Sequence, residues 1–600
     1  MIARMTKYSF VLLNGQQGSL VEQLQELGLM DITRSVKPVD DASREISSEL
    51  DLMNGLIQGL RKVYIPEGTE VVVFEEEEDL GRLAGGTLML YSETLEQVKN
   101  LEKEIVARKA WGSFDPEIVQ QLADAGVPLH FHKLSSKLFK EEWEQQYALS
   151  VVNREKDGVY FVVAGEDPLP GEVQAPTRDT AHAQTALKEK ERFLHTLEGE
   201  ILGLQHRIPE LEARCKADYA RLDRHLASVS AVPAAENTIV TLVGYAPTEK
   251  DAEVTEALES TGVFYLKEAA SAEDNPPIQL KNNWFVRQFE TLTDMYGRPD
   301  YNEFDPTPYI SIFFLLFFAM CMGDAGYGLM LIIAGILLKK VDSFKDLAPL
   351  VTILGAGTFV VGIVMHTFFG VDISTLSWIP SWLKSIMITG TIAGFEAQMV
   401  LALIIGIVHL CLAMVVKTVY ATKNKGFLGS LGTWGWTLLI VGGVVLAALA
   451  MMSLIPAPIL KWVVIGLGIV SALGIFLFND IKRNPLKNIG AGLWETYNTV
   501  TGLLGDVLSY LRLYALGLAG SMLGMAFNDM GKMVLGDGSS LAKWIPFILL
   551  VLLGHTLNIA MCALGAFVHP LRLNFLEFFK NSGYEAVGRN YNPLKKQTNK

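Results

Sequence analysis

Between Leu187 and Leu226 apolar residues recur at alternating steps of three and four: Leu194, Leu197, Ile201, Leu204, Ile208, Leu211, Cys215, Tyr219, Leu222 and Leu226. That seam is a coiled-coil repeat and, as one helix, would run about 60 Å at 1.5 Å per residue. Pro209 falls inside it and predicts a kink or local interruption. Ile46, Leu50, Met53, Ile57 and Leu60 repeat at 4-3-4-3, and Leu95, Val98, Leu101 and Ile105 open another amphipathic helix. The expected partner of the seam is this earlier helical material, packed antiparallel; a separate protein, or a plain dimerisation arm, is the alternative.

Shorter patterns flank the seam. Tyr8–Leu13, Met30–Val36 and the β-branched, aromatic Val71–Phe74 read as strands, with a helix over Ser19–Leu29. A hairpin around Arg154–Gly158 joins the apolar runs Ala148–Val152 and Val159–Val163. Asn237–Tyr245, Thr248–Leu258 and Val263–Leu266 read strand, helix, strand. The predicted architecture of residues 1–303 is two α/β lobes joined by a long antiparallel helical rod.

The pattern changes after Asn302. Apolar runs occupy Pro308–Leu338, Pro349–Phe369, Ile386–Val416, Gly429–Leu454, Ile459–Phe478, Ile489–Met533 and Trp544–Phe579, long enough to span a bilayer. Residues 304–600 are therefore predicted to be a polytopic helical membrane domain. Lysine and arginine gather at Lys339–Lys345, Lys417–Lys425, Lys482–Lys487 and Lys580–Lys600, after alternate runs, and the positive-inside rule makes that side the cytosol. Both termini become cytosolic if Pro308–Leu338 is a tight hairpin of two short spans, broken at Gly323-Asp324-Ala325-Gly326. Eight spans result. Ile489–Met533 would measure about 65 Å as one helix against roughly 30 Å of hydrocarbon, so it is broken or steeply tilted.

Composition adds exclusions. The formal net charge of −14 over 600 residues resides mainly in the first half, which argues against a nucleic-acid surface. The amino terminus has too short an apolar core for a secretory signal. Cys215, Cys321, Cys411 and Cys562 show no paired spacing, so neither a disulfide nor a metal site is expected, and no cofactor is implied. No GxxxxGK[ST] occurs, so no phosphate-binding loop of that type is expected.

The chemistry lies in the last two apolar runs. Arg512 stands within Gly505–Gly520, GDVLSYLRLYALGLAG, with about twenty mostly apolar residues on either side. An arginine at a membrane-helix centre costs roughly 2.5–3.5 kcal/mol on insertion scales. A guanidinium cannot escape by deprotonation, because its pKa stays above about 12. The position is too deep for the side chain to snorkel. Gly505, Ser509, Arg512 and Ala519 share one face, and on the last run His555, Asn558, Cys562, Gly565, His569 and Arg572 recur at 3-4-3-4-3. Two polar faces, each with an arginine, read as walls of one pathway. In the predicted topology Asp506, Ser509 and Glu577 lie towards the cytosol, and Asp324, His366, Glu396, His555 and Asn558 towards the other side. For each of these an ordinary polar contact between helices is the competing reading.

SYLRLYALGLAG at Ser509–Gly520 and HPLRLNFLEFF at His569–Phe579 resemble the large membrane stator subunit of vacuolar-type and archaeal-type rotary ATPases, called subunit a or subunit I. DPTPYISIFFLLFFAMCMGDAGYG at Asp305–Gly328 and GYAP at Gly244–Pro247 resemble further motifs of that family, in the same order. The resemblance implies a non-catalytic subunit in which a rotating proteolipid c-ring passes Arg512 between two offset half-channels. Arg572 matches the family's second arginine, His569 a histidine three residues before it, and Asp324 an acidic position of the first hairpin. Implied partners are the ring, peripheral stalk subunits of E/G type, a central-stalk collar subunit of C/d type, membrane lipid, and protons or sodium ions. The implied setting is a prokaryotic cell membrane. The sequence departs from the vacuolar pattern at Asn498, Gly520 and Cys562, where relatives carry an acid, a histidine and an acid. A secondary transporter predicts internal repeats that this chain lacks, and a membrane-anchored coiled-coil scaffold leaves both arginines unexplained.

Overall fold

The computed structural model describes residues 1–600 except 36, 75–78, 113, 156–157, 166–168, 174–179, 235, 237, 342–343, 393, 479–484, 537–540 and 596–600. The chain forms two compact units: one of residues 1–10, 29–31 and 243–593, the other of residues 11–28, 32–242 and 594–600.

In the second unit, helices α1 (Asp41–Lys62) and α2 (Leu80–Lys109) meet α3 (Thr180–His206) and α4 (Ile208–Val229). The α3–α4 break falls at Arg207, with Pro209 in the first turn of α4, where a missing amide hydrogen costs nothing. The pairs are antiparallel. His225 bonds Asp40 at the start of α1 and Glu212 bonds Arg61 at its end, while Thr87 near the start of α2 reaches Glu200 near the end of α3. Ile46, Leu50, Ile57, Leu60, Ile201, Leu204, Leu211 and Cys215 form the buried seam. Asp40 and Ser43 cap α1 reciprocally, each side chain bonding the other's backbone amide.

Val71–Phe74 is not a strand. It runs extended against α3, with the Val72 amide donating to Gly199 O at 3.1 Å. Gly203 makes this approach possible, because a Cβ there would lie 2.0 Å from Val72 O. The Met30–Val36 strand likewise shrinks to Asp31–Ile32. An antiparallel sheet in the order Leu149–Glu155, Gly158–Ala164, Leu129–Leu134, Glu172–Val173 contains the expected hairpin, whose turn residues 156–157 lie outside the described residues. Phe161 and Val163 are its most buried side chains.

A second sheet runs Asp31–Ile32, Ile239–Pro247, Met5–Leu13, Phe264–Ala269, with Val232–Ala234 on Ile239–Pro247. In the first unit Lys7 bonds Asp274 at 2.6 Å and Tyr8 bonds Asp251.

The same unit holds the apolar helices α5 (Thr307–Met322), α6 (Ala325–Leu338), α7 (Ala348–Val364), α8 (Ala397–Gly429), α9 (Leu431–Met451), α10 (Ala457–Phe476), α11 (Pro485–Ser509), α12 (Leu511–Leu535) and α13 (Leu541–Arg572). Among the described residues five helices are long and apolar enough to cross a membrane: Ala397–Gly429, Leu431–Met451, Pro458–Phe476 and the runs Leu486–Leu535 and Lys543–Ser582. α5, α6 and α7 are shorter, so length supports five crossings where eight were expected. The α5–α6 break occurs where predicted, with Gly323 left-handed at φ 60° and Asp324 capping α6. α6 nonetheless packs along α7 far more than against α5. Gly328, Gly335 and Gly362 explain this: a Cβ at each would fall 2.2–2.4 Å from an atom of the facing helix.

Two outcomes follow from this packing. Gly203→Ala is expected to lower stability by about 1–3 kcal/mol, the usual cost of overpacking, measured by thermal unfolding. Asp274 is held at about 2 by the hydrogen bond from Lys7, then by those from Ser271, against an ordinary value of 3.8. A depressed carboxylate contributes stability that is complete above its unfolded value and is lost as pH falls towards its folded one. Melting temperatures should therefore fall between about pH 4 and pH 2, with a shallower fall in Asp274→Asn.

Candidate functional site

α11 and α12 are one run interrupted at a single residue, Tyr510. The Tyr510 amide donates to Val507 O at 3.2 Å and the Leu513 amide to Tyr510 O at 3.1 Å, three-residue spacings that tighten the turn. The Tyr510 ring is fully buried on the backbone at Gly406, where a Cβ would lie 2.3 Å from it, and its hydroxyl lies 2.9 Å from His409 Nδ1. Arg512 leaves the chain two residues later. It is half-buried, and its Nη1 has no hydrogen-bond partner among the described residues.

Two cavities open on this run, on either side of Arg512 along the chain. One, of about 220 Å³, is lined by Asp506, Asn498, Glu495, Lys417, Lys580 and Asn581 among others. Asn581 donates to Asp506 at 2.8 Å, and Lys580 Nζ lies 3.7 Å from the same carboxylate. Ser509 donates to Gly505 O and lies within reach of Glu577, whose Oε2 is buried without a partner among the described residues. The other cavity, of about 540 Å³, is lined by Glu396, His366, Gln398, Tyr514, Gly517 and Ser521 among others. Tyr514 donates a short hydrogen bond to Glu396, and His366 lies 3.0 Å from Asp372.

Among the candidates, Ser509, Glu577, Asp324, His555 and Asn558 line neither cavity. Asp324 is 1% exposed and accepts from the backbone amides of Gly326, Tyr327, Phe369 and Gly370 at 2.7–3.2 Å. Its carboxylate ties the break before α6 to the loop after α7. His555 bonds Tyr327 through Nδ1 and Asn528 through Nε2; Asn558 donates to Tyr327 and to Gly520 O. Asn528 returns the network to Phe369 O. Asp324, His555 and Asn558 are joined into one polar network linking α6, α12 and α13.

Arg572 is exposed at the end of α13, and His569 is within electrostatic reach of both arginines. After it, Leu573–Phe578 widens to a π-helix that buries Asn574 and Glu577. Beyond that turn Tyr584 donates to Gly297 O at 2.7 Å, and Arg589–Asn590 pairs in parallel with Pro277–Ile278. The Asn592 amide then bonds Asp31 at 2.8 Å.

His409, Tyr510, Tyr514 and Tyr327 were not singled out from sequence. His409 was open to the argument used for Arg512, since it is a polar residue deep in an apolar run; the tyrosines carry no such signal. Gly520 and Cys562, two of the departures from the vacuolar pattern, face each other, and a Cβ at Gly520 would lie 2.6 Å from Cys562 Sγ.

These features define an integral membrane protein with an α+β amino-terminal region. Residues 174–352 match the V-type ATPase 116kDa subunit family. The chain is 32% identical over 358 residues to the A-type ATP synthase subunit I of Methanocaldococcus jannaschii, covering 55% of this chain and 50% of that one. It is 33% identical over 371 residues to the subunit of the same name from Pyrococcus horikoshii, covering 59% and 53%. The chain thus spans about half the length of these archaeal relatives. Against V-type ATP synthase subunit I 1 of Treponema pallidum the match covers 100% of both chains at 25% identity. The chain is thus similar to subunit I of V-type and A-type ATPases, over its whole length in the bacterial relative and over about half of the archaeal ones.

Asp324→Ala would strand three buried amides and the part-buried one of Phe369, at about 1–3 kcal/mol for each left unpaired. Asp324→Asn keeps one acceptor oxygen. Thermal unfolding should order wild type above Asp324→Asn above Asp324→Ala.

Proposed function

We propose that this chain is the non-catalytic stator of the membrane sector of a rotary ATPase. Ions enter and leave a rotating proteolipid ring through two half-channels, and each ring carboxylate passes Arg512 between them. The observation that carries the reading is the position of Arg512 on one helix run. Asp506 lines one cavity and Tyr514 the other, about 12 Å apart along the run at 1.5 Å per residue. Asp506, Ser509 and Glu577 serve the cytosolic half-channel, and Glu396 with His366 and Tyr514 the opposite one. Asp324, His555 and Asn558 hold the helices that frame it.

The physics suits the task. In a medium of low dielectric an ionised ring carboxylate is attracted to the guanidinium, which favours release of its ion and compensates the charge as the site passes. The same fixed charge opposes a cation crossing directly between the half-channels. Arg572 and His569 adjust the potential at this point. ATP is hydrolysed or made on other subunits. The amino-terminal helices and sheets lie in the cytosol, bind peripheral stalks and a central-stalk collar subunit, and resist the torque of rotation. Eight crossings, with α5 to α7 entering the bilayer, put both termini on that side.

The test is ion transport by the assembled complex in vesicles. Arg512→Ala and Arg512→Lys should both abolish ATP-coupled transport while the complex still assembles, because lysine offers a point charge in place of the planar guanidinium. Full coupled transport in Arg512→Ala would overturn the assignment.

A further inference from the structure

His409 is 0% exposed on α8, amid aromatic rings: Phe578 stacks on it at 4.8 Å, and Phe313 and Phe317 lie at 4.2 Å and 5.1 Å. Phenylalanine would suit that surrounding. The imidazole makes one hydrogen bond, from Nδ1 to the Tyr510 hydroxyl, and Nε2 has no partner among the described residues. A buried polar pair of this kind loses two hydration shells and recovers one bond, so stability does not explain it. Its location does. Tyr510 is the residue at which α11 gives way to α12, and the turn tightens on both sides of it. An α-helix rotates each residue by about 100°, a turn closed on three residues by about 120°. The direction in which Arg512 leaves the run therefore depends on keeping the tight turn at Tyr510. Gly406, three residues before His409 on the same helix, lets the ring lie on the backbone, and His409 then fixes the hydroxyl end.

We propose that His409 is a positioning residue for Arg512, acting through its hydrogen bond to Tyr510 to hold the tightened turn from which the guanidinium projects. The proposal rests on the reading of Arg512 given above.

Packing and positioning make opposite predictions for the double variant His409→Phe/Tyr510→Phe. Replacing both partners of a buried bond by apolar groups of similar shape is nearly neutral for stability. A packing role therefore leaves the assembled complex normally coupled. A positioning role leaves it folded and assembled, yet lowers ions moved per ATP hydrolysed by about three- to tenfold, the size one buried hydrogen bond can carry. Tyr510→Phe, which removes a single oxygen, should show the same loss and serves if the double variant fails to assemble. His409→Gln, which keeps a side chain able to bond the hydroxyl, should recover most of the coupling. Wild-type coupling in assembled Tyr510→Phe or in the double variant overturns the proposal. Arg512→Ala, measured alongside, separates the two claims: if it too stays coupled, the reading of Arg512 fails first.

Discussion

Arg512, half-buried on the long run of α11 and α12, carries a charge that cannot be discharged. A guanidinium among apolar helices has to be met by water, by an anion or by a partner outside the chain, and helix packing must leave room for that meeting. Small residues provide the rest of the geometry. Gly406 lets the Tyr510 ring approach closely, Gly517 and Gly524 admit the backbones of Met320 and Gly370, and Gly520 admits the Cys562 sulfur. The two cavities on the run have no lining residue in common.

Much of this was legible in the sequence because the signals are local and periodic. The break beside Pro209 and the glycine–aspartate break at Gly323-Asp324 reproduce in the structure, and the 3-4 seam is buried from Leu197 to Cys215 while Tyr219 is exposed. The excessive length of Ile489–Met533 resolved into an interruption at Tyr510. What was not legible depends on contacts far apart in the chain. Val71–Phe74 has strand-forming residues, but it is held by a helix carbonyl at Gly199. The sequence marks Asp324 as an acid in an apolar run, yet two of its four amide partners lie some forty-five residues on. Helix length alone gives five of the eight expected spans, since α5, α6 and α7 are shorter.

The departures at Gly520 and Cys562 gain meaning as a pair. Read along the chain they are unrelated losses of polar groups on two helices. In space the glycine makes room for the sulfur, and Asn558, one turn away, bonds both Gly520 O and the Cys562 thiol. The two faces are thus joined by close packing and an amide, with no ionisable pair at those positions.

The segment after α13 bears on how the protein is made. Arg589–Asn590 lies in parallel register beside Pro277–Ile278, and Asn592 bonds Asp31, so residues near the amino-terminal sheet find partners that a ribosome adds hundreds of positions later. Those contacts cannot form until residues 589–592 have been synthesised. Closure of this unit is therefore a late event in biogenesis. A chain ending before Tyr584 would lack the strand that pairs with Pro277–Ile278 and the Asn592 amide that bonds Asp31.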